Sequence, residues 1–514
     1  MSKIKQKPQP ALAADKQSVK DEFRERVLST LDTGRRDIVA KRHGRGYRSA
    51  RENLTDLCDP DSFLEYGQLA VAAQRKRRDF EDLKTSTAAD GIITGLATIN
   101  ADQFDAGACR AAVIVNDYTV LAGTQGYYHH KKLDRILEVA YEQSLPVIMY
   151  TEGGGGRPGD TDHEVTMDVN SFAAWAGLQG KVPMIAVNNG YCFAGNAALF
   201  GCADITIATK DSWIGMAGPA MIEGGGMGVY KATEIGPVPV QEANGVVDIV
   251  AEDEQEAAQL ARQLLSYFQG PLKDWKCTDQ NKLWDLLPED RRFVYDVRAI
   301  ISTLADTDSF IELRRSFGTG IITGFFRIEG LPFGVICNDC KVLGGAIDAE
   351  ASNSAARFLN LCSNFNIPVV SLCDTPGFMV GPESEEQGAV RLMSDLFVAG
   401  AKLNAPISAI FLRKAYGLGA MAMTGGSFSK PVYSAAWPSA EFGAMGFEGA
   451  VHLGFKKELD ATKNQQERNE LFAKLLNSMY QRGKATEAAT YLEVDAVIDP
   501  KDTRRVIIQA IQSR

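Results

Sequence analysis

The apolar residues of this chain fall into short runs that alternate with longer amphipathic stretches. Residues 182–188 and 405–412 are compact apolar runs bounded by turn residues, and each follows a polar stretch whose apolar positions recur at helical spacing. The stretch 349–364, AEASNSAARFLNLCSN, is one such predicted helix. Strand, glycine-rich turn and helix form the βα unit of an α/β fold, whose ligands bind beyond the carboxyl ends of the strands.

The chain also contains an internal repeat. Four segments return in the same order: DPDSFLE (59–65) as DTDSFIE (306–312), GIITG (91–95) as GIITG (320–324), PVIMY (146–150) as PVVSL (368–372), and PMIA (183–186) as PISA (406–409). The offset falls from 247 residues (59 to 306) to 223 residues (183 to 406), so the halves differ by short insertions. A period this long indicates a domain duplication and not a solenoid.

The repeat divides the chain into three predicted parts: an N-terminal tail and helix (1–45), a first domain (46–270) and a second domain (290–514). The join lies near residues 269–289, where Pro271 and Pro288 flank a polar stretch. We expect the first ~14 residues to be disordered. A charged amphipathic helix is predicted to follow them, from Lys16 to Arg42.

Composition and charge restrict the class of partner. A net charge of −10 and a pI near 5.3 argue against nucleic acid. The longest apolar runs are shorter than the ~20 residues of a membrane helix, so we expect no membrane segment. The nine cysteines have no regular spacing, and no secretory signal precedes them, which favours the cytoplasm. Cys337 and Cys340 form a single CxxC without a second pair, so no metal is expected.

Candidate chemistry lies in two glycine-rich turns, NNGYCFAGNAA (188–198) and RKAYGLGAMAM (413–423), each of which follows a matched strand. Small side chains leave backbone N–H groups uncovered at a helix N-terminus, which is how an oxyanion hole is built. Close packing of a helix on a sheet also favours such residues and is the alternative explanation. Two further glycine-rich segments follow the preceding pair of matched strands: EGGGGR (152–157) and DTPGF (374–378). We expect them to lie at the same edge of the sheet as the two turns.

Several familiar catalytic motifs are missing from the sequence. It has no GxxxxGK[ST] loop, no GxSxG elbow and no HExxH. His129 and His130 are adjacent and are predicted to lie in a polar loop. The residues alone therefore predict a duplicated α/β protein with two anion-stabilising turns and no acid–base pair.

Together these segments resemble the carboxyltransferase subunits of biotin-dependent acyl-CoA carboxylases, in the crotonase superfamily. The resemblance runs from about Ala50 to Leu492. Its most specific parts are ADGIITG (89–95), the run from NIP (366–368) through DTPGF (374–378), RKAYG (413–417) and AWPSAEFGAMG (436–446). The resemblance implies two tandem crotonase-like ββα-superhelix domains.

The resemblance also implies a mechanism. In the family the active site lies between the first half of one subunit and the second half of its neighbour, so dimers are the minimum and trimers of dimers are common. One oxyanion hole holds the acyl thioester oxygen, and the other holds the ureido oxygen of biotin. Carboxybiotin releases CO₂ in the site and the remaining biotin takes the α-proton, so no side-chain base is needed.

The site residues follow from the resemblance by position. The thioester hole falls at Ala194 and Gly195, where Ala194 replaces the usual glycine; its N–H stays usable where φ is negative. The biotin hole falls at Gly419 and Ala420, but Leu418 separates two glycines that are adjacent in the family. The register of the internal repeat selects Gly417 and Leu418 instead, and both registers remain open.

Further binding residues are predicted around these turns. They are Gly154, Gly155 and Gly377 in the glycine-rich loops, Ala422 at the acyl pocket, where many short-chain members carry an acidic residue, and Arg51, Lys131 and Lys132 as contacts for the CoA phosphates. A small apolar residue at Ala422 would admit a longer or branched acyl chain.

The sequence also predicts partners and leaves alternatives. It contains no Ala/Val-Met-Lys-Met motif and no ATP-binding domain, so we expect a biotin carboxyl carrier protein and a biotin carboxylase on other chains. The same chemistry in reverse would serve a biotin-dependent decarboxylase. A non-catalytic CoA-binding scaffold stays possible because of Ala194 and Leu418. An enoyl-CoA hydratase would need paired glutamates, for which Glu223 is the residue to check.

Overall fold

A computed structural model describes residues 16–163 and 167–512 of the chain. The predicted disorder of the first residues lies outside this range. The described helices are α1 Lys16–Leu28, α2 Arg36–His43, α3 Ala50–Leu57, α4 Phe80–Ser86, α5 Tyr127–Glu142, α6 Ser171–Ala176, α7 Gly195–Gly201, α8 Pro219–Gly224, α9 Val238–Ala243, α10 Glu254–Gln269, α11 Val297–Leu304, α12 Ala349–Asn364, α13 Pro382–Glu386, α14 Ala389–Ala401, α15 Gly417–Met423, α16 Phe447–Gly454, α17 Lys456–Asp460, α18 Gln465–Gly483, α19 Ala485–Thr490 and α20 Thr503–Gln512. Throughout these described ranges every helix is too short or too polar to cross a bilayer.

The first half contains one large sheet and a small one. Its strands are β1 Leu64–Tyr66, β2 Ile92–Thr98, β3 Arg110–Asn116, β4 Val147–Tyr150, β5 Met184–Asn188, β6 Tyr191–Phe193, β7 Ile205–Thr209, β8 Trp213–Gly215 and β9 Ile249–Ala251. The large sheet has the order β1-β2-β3-β4-β5-β7-β9, and β6 pairs with β8. β1, β2 and β3 are antiparallel neighbours, and from β3 to β9 the pairs are parallel.

The second half repeats this topology. Its strands are β10 Ile311–Leu313, β11 Ile321–Ile328, β12 Leu331–Asn338, β13 Val369–Thr375, β14 Ile407–Tyr416, β15 Tyr433–Ala436, β16 Glu441–Gly443 and β17 Ala496–Val497. The order β10-β11-β12-β13-β14-β15-β17 again begins with antiparallel pairs and continues with parallel ones. The predicted α/β class and the predicted helix at 349–364 are confirmed. The strand predicted at 405–412 extends to Tyr416 and pairs with β16.

The N-terminal helix was predicted as one element and is two. α1 ends at Leu28 and α2 begins at Arg36, with a short 3₁₀ turn at Asp32–Gly34 between them. Gly34 lies so close to the backbone of Leu28 that a side chain at this position would overlap its carbonyl oxygen. The break separates α1 from α2, whose Arg42 donates to both carboxylate oxygens of Glu152.

The long helices α10 of the first half and α12 of the second half share one apolar core. Asp253 and Asp348 cap α10 and α12 by accepting hydrogen bonds from Glu256 N and Ala351 N, both at 2.8 Å. The buried faces of the two helices belong to one apolar core: Ala257, Ala261, Leu264 and Leu265 of α10, and Ala351, Ala355, Phe358 and Leu359 of α12. The fold therefore fixes the halves against each other as well as within themselves.

Asp204 makes the stability of the first half depend on pH. It precedes β7 and accepts a hydrogen bond from Met184 N at 3.0 Å, and burial raises its pKa to about 7. A raised pKa means that Asp204 contributes stability at low pH that is lost as the pH rises toward 7. Asp204→Asn keeps the acceptor oxygen and removes the charge. We expect its free energy of unfolding to exceed that of the parent by on the order of 2 kcal/mol at pH 8, and the two free energies to become similar near pH 4.

Urea unfolding of both proteins between pH 4 and pH 8 measures this difference. Exposed Asp211→Asn is the control for the loss of one carboxylate from the surface. A pH-independent gain in Asp204→Asn would contradict the assignment.

Candidate functional site

The first glycine-rich turn connects β6 to α7. Ala194 occupies the turn with φ 51° and ψ −119°, and its N–H donates to Gly215 O at 3.0 Å. The condition of a negative φ is therefore not met, and the Ala194 N–H is already used in holding β6 against β8. Among the described residues the Gly195 N–H has no acceptor, as expected for the first residue of a helix. Of the two predicted residues, Gly195 is the one that offers a donor.

Two loops frame the Gly195 turn. Gly155, with φ 89°, lies so close that an added methyl would be 2.8 Å from the Ala194 Cβ. The Gly155 N–H donates to Asn196 Oδ1 at 3.0 Å, and the Asn196 amide donates to Thr151 O at 3.1 Å. The predicted residues Gly154 and Gly155 thus lie beside the turn, and buried Asn196, which the sequence did not single out, ties them to α7.

A further backbone donor lies on the loop that follows β3. Gly154 N donates to Ala122 O at 3.0 Å, and Gln125 N donates to Gly155 O at 2.8 Å. Ala122 is exposed, has φ 55°, and its own N–H has no acceptor among the described residues. Its counterpart in the second half is Gly344, with φ 65°, since NDYTVLAG (116–123) recurs as NDCKVLGG (338–345). This repeat is the signal by which the two residues could have been found.

The second turn connects β14 to α15 and decides the register of the repeat. Gly417 has φ 56° and follows the pair Tyr416–Gly443, as Ala194 follows the pair Phe193–Gly215. Gly417 and Leu418 therefore correspond to Ala194 and Gly195. Ala420 corresponds to Ala197, two residues beyond Gly195, and its side chain is fully buried. The geometry thus disfavours the register that placed the biotin hole at Gly419 and Ala420.

Gly419 has a packing role at this turn. A methyl group added to it would lie 2.7 Å from Gly377 Cα and 3.1 Å from Phe378 N. Gly377 corresponds to Gly155 and shares its positive φ, at 121°. The predicted residue Gly377 therefore lies beside the second turn, and Leu418 projects from it with 62% of its surface exposed.

Buried carboxylates stand at the start of both glycine-rich loops. Asp374 is fully buried and contacts Arg413 Nη2 at 3.0 Å, and the Tyr295 hydroxyl donates to it at 2.8 Å. Burial, followed by the Asp374 charge, raises the pKa of Tyr295 well above its ordinary value, so the hydroxyl stays a donor. In the first half Glu152 takes the same place and forms a bidentate pair with Arg42. Burial raises the pKa of Glu152 to about 7 although Arg42 opposes the shift.

The structure does not support two of the predicted phosphate contacts, because both side chains are paired within the protein. Arg51 forms a bidentate pair with Glu65 at 3.0 and 3.1 Å, and its Nε donates to Thr30 O. Lys132 is buried and donates to Ala89 O and Ile92 O, and burial lowers its pKa to about 8. Both cations are engaged inside the protein. Lys131 is exposed on α5 near the Tyr127 ring and stays a prediction.

Three other predictions have outcomes in the structure. Ala422 is fully buried in the apolar core below α15, so within this one chain it does not border an open pocket. His129 and His130 lie on α5 and not in a loop, and His129 is fully buried beside Asn116. Glu223 is exposed on α8 and lacks the buried surroundings of an acid–base pair. In residues 16–163 and 167–512 no cluster of His, Cys, Asp and Glu suits a metal ion.

Known proteins resemble this chain along nearly its whole length. Residues 41–514 match the family model described as carboxyl transferase domain. The methylmalonyl-CoA carboxyltransferase 12S subunit of Propionibacterium freudenreichii subsp. shermanii is 33% identical over 492 residues, which are 92% of this chain and 90% of that subunit.

Two solved structures superimpose closely. A single-chain, multi-domain long-chain acyl-CoA carboxylase has a TM-score of 0.92 and 53% identity over 96% of this chain; the match spans 49% of that enzyme, so this chain corresponds to about half of it. A transcarboxylase 12S hexamer, with methylmalonyl-CoA and methylmalonic acid bound, has a TM-score of 0.84 and 30% identity over 98% of this chain and 96% of that one.

Proposed function

Because the chain belongs to the carboxyl transferase family, we propose that it is the carboxyltransferase of a biotin-dependent acyl-CoA carboxylase whose substrate is a long-chain acyl-CoA. It has the tandem crotonase fold of its structural neighbours. One observation carries the chain-length assignment: identity to the long-chain enzyme is 53%, against 33% to the methylmalonyl-CoA relative.

The first-half turn is the proposed acyl-CoA side. The N–H groups of Gly195 and Ala122 lack acceptors among the described residues, and they lie on segments that Gly154, Gly155 and Gln125 connect by hydrogen bonds. Such donors stabilise a carbonyl oxygen that gains negative charge, as the thioester oxygen does when the α-carbon loses its proton. Lys131 is the remaining candidate for a phosphate contact.

The second-half turn is the proposed biotin side. Leu418 and Gly344 correspond to Gly195 and Ala122, and the turn fits a ureido oxygen because its leading N–H groups are outside the helical pattern. Carboxybiotin, when bound, supplies the carboxyl group that is transferred. The chain itself contributes two sets of backbone donors and the loops that hold them.

The proposal extends to partners. A biotinylated carrier domain and a biotin carboxylase outside these 514 residues would deliver the carboxyl group. A homo-oligomer would place the first-half turn of one subunit opposite the second-half turn of its neighbour. The expected partners and the expected homo-oligomer are both inferred from membership of the family. The 12S relative forms a hexamer.

Decarboxylation of carboxylated acyl-CoAs tests the proposal. The purified protein is incubated with free biotin and with malonyl-CoA, methylmalonyl-CoA or an α-carboxylated long-chain acyl-CoA, and release of the acyl-CoA is followed. We expect turnover that requires biotin, with the highest kcat/KM for the long chain. Preference for a short chain would overturn the substrate assignment, and no turnover from folded oligomer, even with a biotinylated carrier, would overturn the activity.

A further inference from the structure

Two arginines from the N-terminal segment enter the first half and pair with buried carboxylates. Arg35 Nη1 lies 2.6 Å from Asp117 Oδ2, and its Nη2 donates to Thr119 Oγ1 at 2.7 Å. Arg42 donates to both oxygens of Glu152, at 2.9 and 2.6 Å. All four side chains of these ion pairs are less than 10% exposed, with values between 4% and 8%. These arginines are therefore structural parts of the first half, although they precede the first repeated segment.

The second half has the same carboxylates but obtains its arginines differently. Asp339 and Asp374 occupy the positions of Asp117 and Glu152, because β12 and β13 pair in the register of β3 and β4. Their partners are Arg298 Nη1 at 2.6 Å and Arg413 Nη2 at 3.0 Å. Both of these arginines lie within the second half itself.

The strand register explains why Glu152 needs an arginine from outside the repeated part of the chain. β5 and β14 correspond at Met184 and Ile407, so the counterpart of Arg413 is Gly190. A side chain at Gly190 would overlap the Glu152 carboxylate. The longer glutamate thus occupies the space that an arginine at this position would need, and the compensating charge comes from Arg42.

The two carboxylates begin the two loops of the proposed acyl-CoA side. Asp117 begins the loop that carries Ala122 and Gln125, and Glu152 begins the loop that carries Gly154 and Gly155. These loops are connected by the bonds Gly154 N to Ala122 O and Gln125 N to Gly155 O, and Asn196 connects them to α7. These bonds form a continuous connection from the two carboxylate-bearing loops to the Gly195 turn.

We propose that Arg35 and Arg42 are positioning residues of the acyl-CoA side, through which the N-terminal segment fixes the loops around Gly195. The inference rests on the proposed function. Removing either arginine leaves a buried carboxylate without its partner, and such a group must take up a proton or move toward water. Either response shifts a loop on the acyl-CoA side and leaves the second-half turn in place.

The biotin-dependent decarboxylation assay tests this with Arg35→Gln and Arg42→Gln. We expect kcat/KM for the carboxylated acyl-CoA to fall at least about tenfold while the KM for biotin stays that of the parent. Arg36→Gln is the matched control, because Arg36 is the exposed neighbour on the same segment, and it should behave like the parent. Arg42→Lys, which keeps the charge without two parallel hydrogen bonds, should recover part of the loss.

Thermal unfolding first establishes which variants are folded. If Arg42→Gln is not folded, Arg42→Lys is compared with the parent instead. A folded variant with parental kinetics, or with an equal rise in the KM for biotin, would overturn the positioning role. Parental protein that shows no turnover at all would instead overturn the proposed function, so the two failures are distinguishable.

Discussion

Replacing Leu418 with proline should reduce biotin-dependent turnover by about 100- to 1000-fold, the loss found when one oxyanion donor is removed. Proline lacks an N–H, and the first position of a helix tolerates it because that N–H has no partner within the helix. Leu418 corresponds to Gly195, the first residue of α7, in the register that strands β14 and β16 establish, and Gly417, with φ 56°, takes the place of Ala194 before it. The variant therefore removes a donor and leaves α15 intact.

Leu418→Ala is the matched control for this variant. It removes the exposed side chain and keeps the N–H, so we expect its turnover to stay close to that of the parent. The measurement is the decarboxylation rate at several biotin concentrations with the acyl-CoA saturating. Equal activity of the proline and alanine variants would show that the Leu418 N–H is not a donor to biotin, and Gly419→Pro would then test the other register.

The parts of the fold that depend on local pattern could be predicted from the sequence. The helix Ala349–Asn364 and the two matched strands follow from periodicity and turn residues. The repeat predicted that both turns lie at equivalent sheet edges, because the same strand order places them there. The break between α1 and α2 was missed, since it depends on the close approach of Gly34 to Leu28.

The details of the site depend on contacts between distant residues, which one sequence does not contain. The N–H of Ala194 is occupied because Gly215 approaches from another strand. Arg51 was predicted to bind phosphate, but Glu65 neutralises it. The arginines that pair with Asp117 and Glu152 come from 82 and 110 residues away in sequence. A basic residue can bind a ligand only if the fold leaves it unpaired, and pairing is a property of the tertiary structure.

Replacing Gly153 with alanine should impair the acyl-CoA side by about 100-fold in kcat/KM, the scale expected when a site is displaced by about 1 Å. Gly153 is buried between Gly123 and α7, and its N–H donates to Tyr191 O at 2.7 Å. A methyl group here would overlap the Gly123 carbonyl oxygen and the Asn196 amide. Because the first of these is backbone, rotation of a side chain cannot relieve the overlap, and the loops around Gly195 must separate.

The loss should be specific to one half of the site. We expect the KM for biotin to remain parental in Gly153→Ala, since Gly344, Gly377 and Leu418 lie in the second half. Gly201→Ala is the matched control: it lies at the end of α7, and outside its own helical turn no described atom would lie within 4 Å of the added methyl group. If Gly153→Ala raised the KM for biotin as much as it impaired the acyl-CoA reaction, the substitution would have damaged both halves. That result would contradict the proposal that the first half binds acyl-CoA and the second half binds biotin.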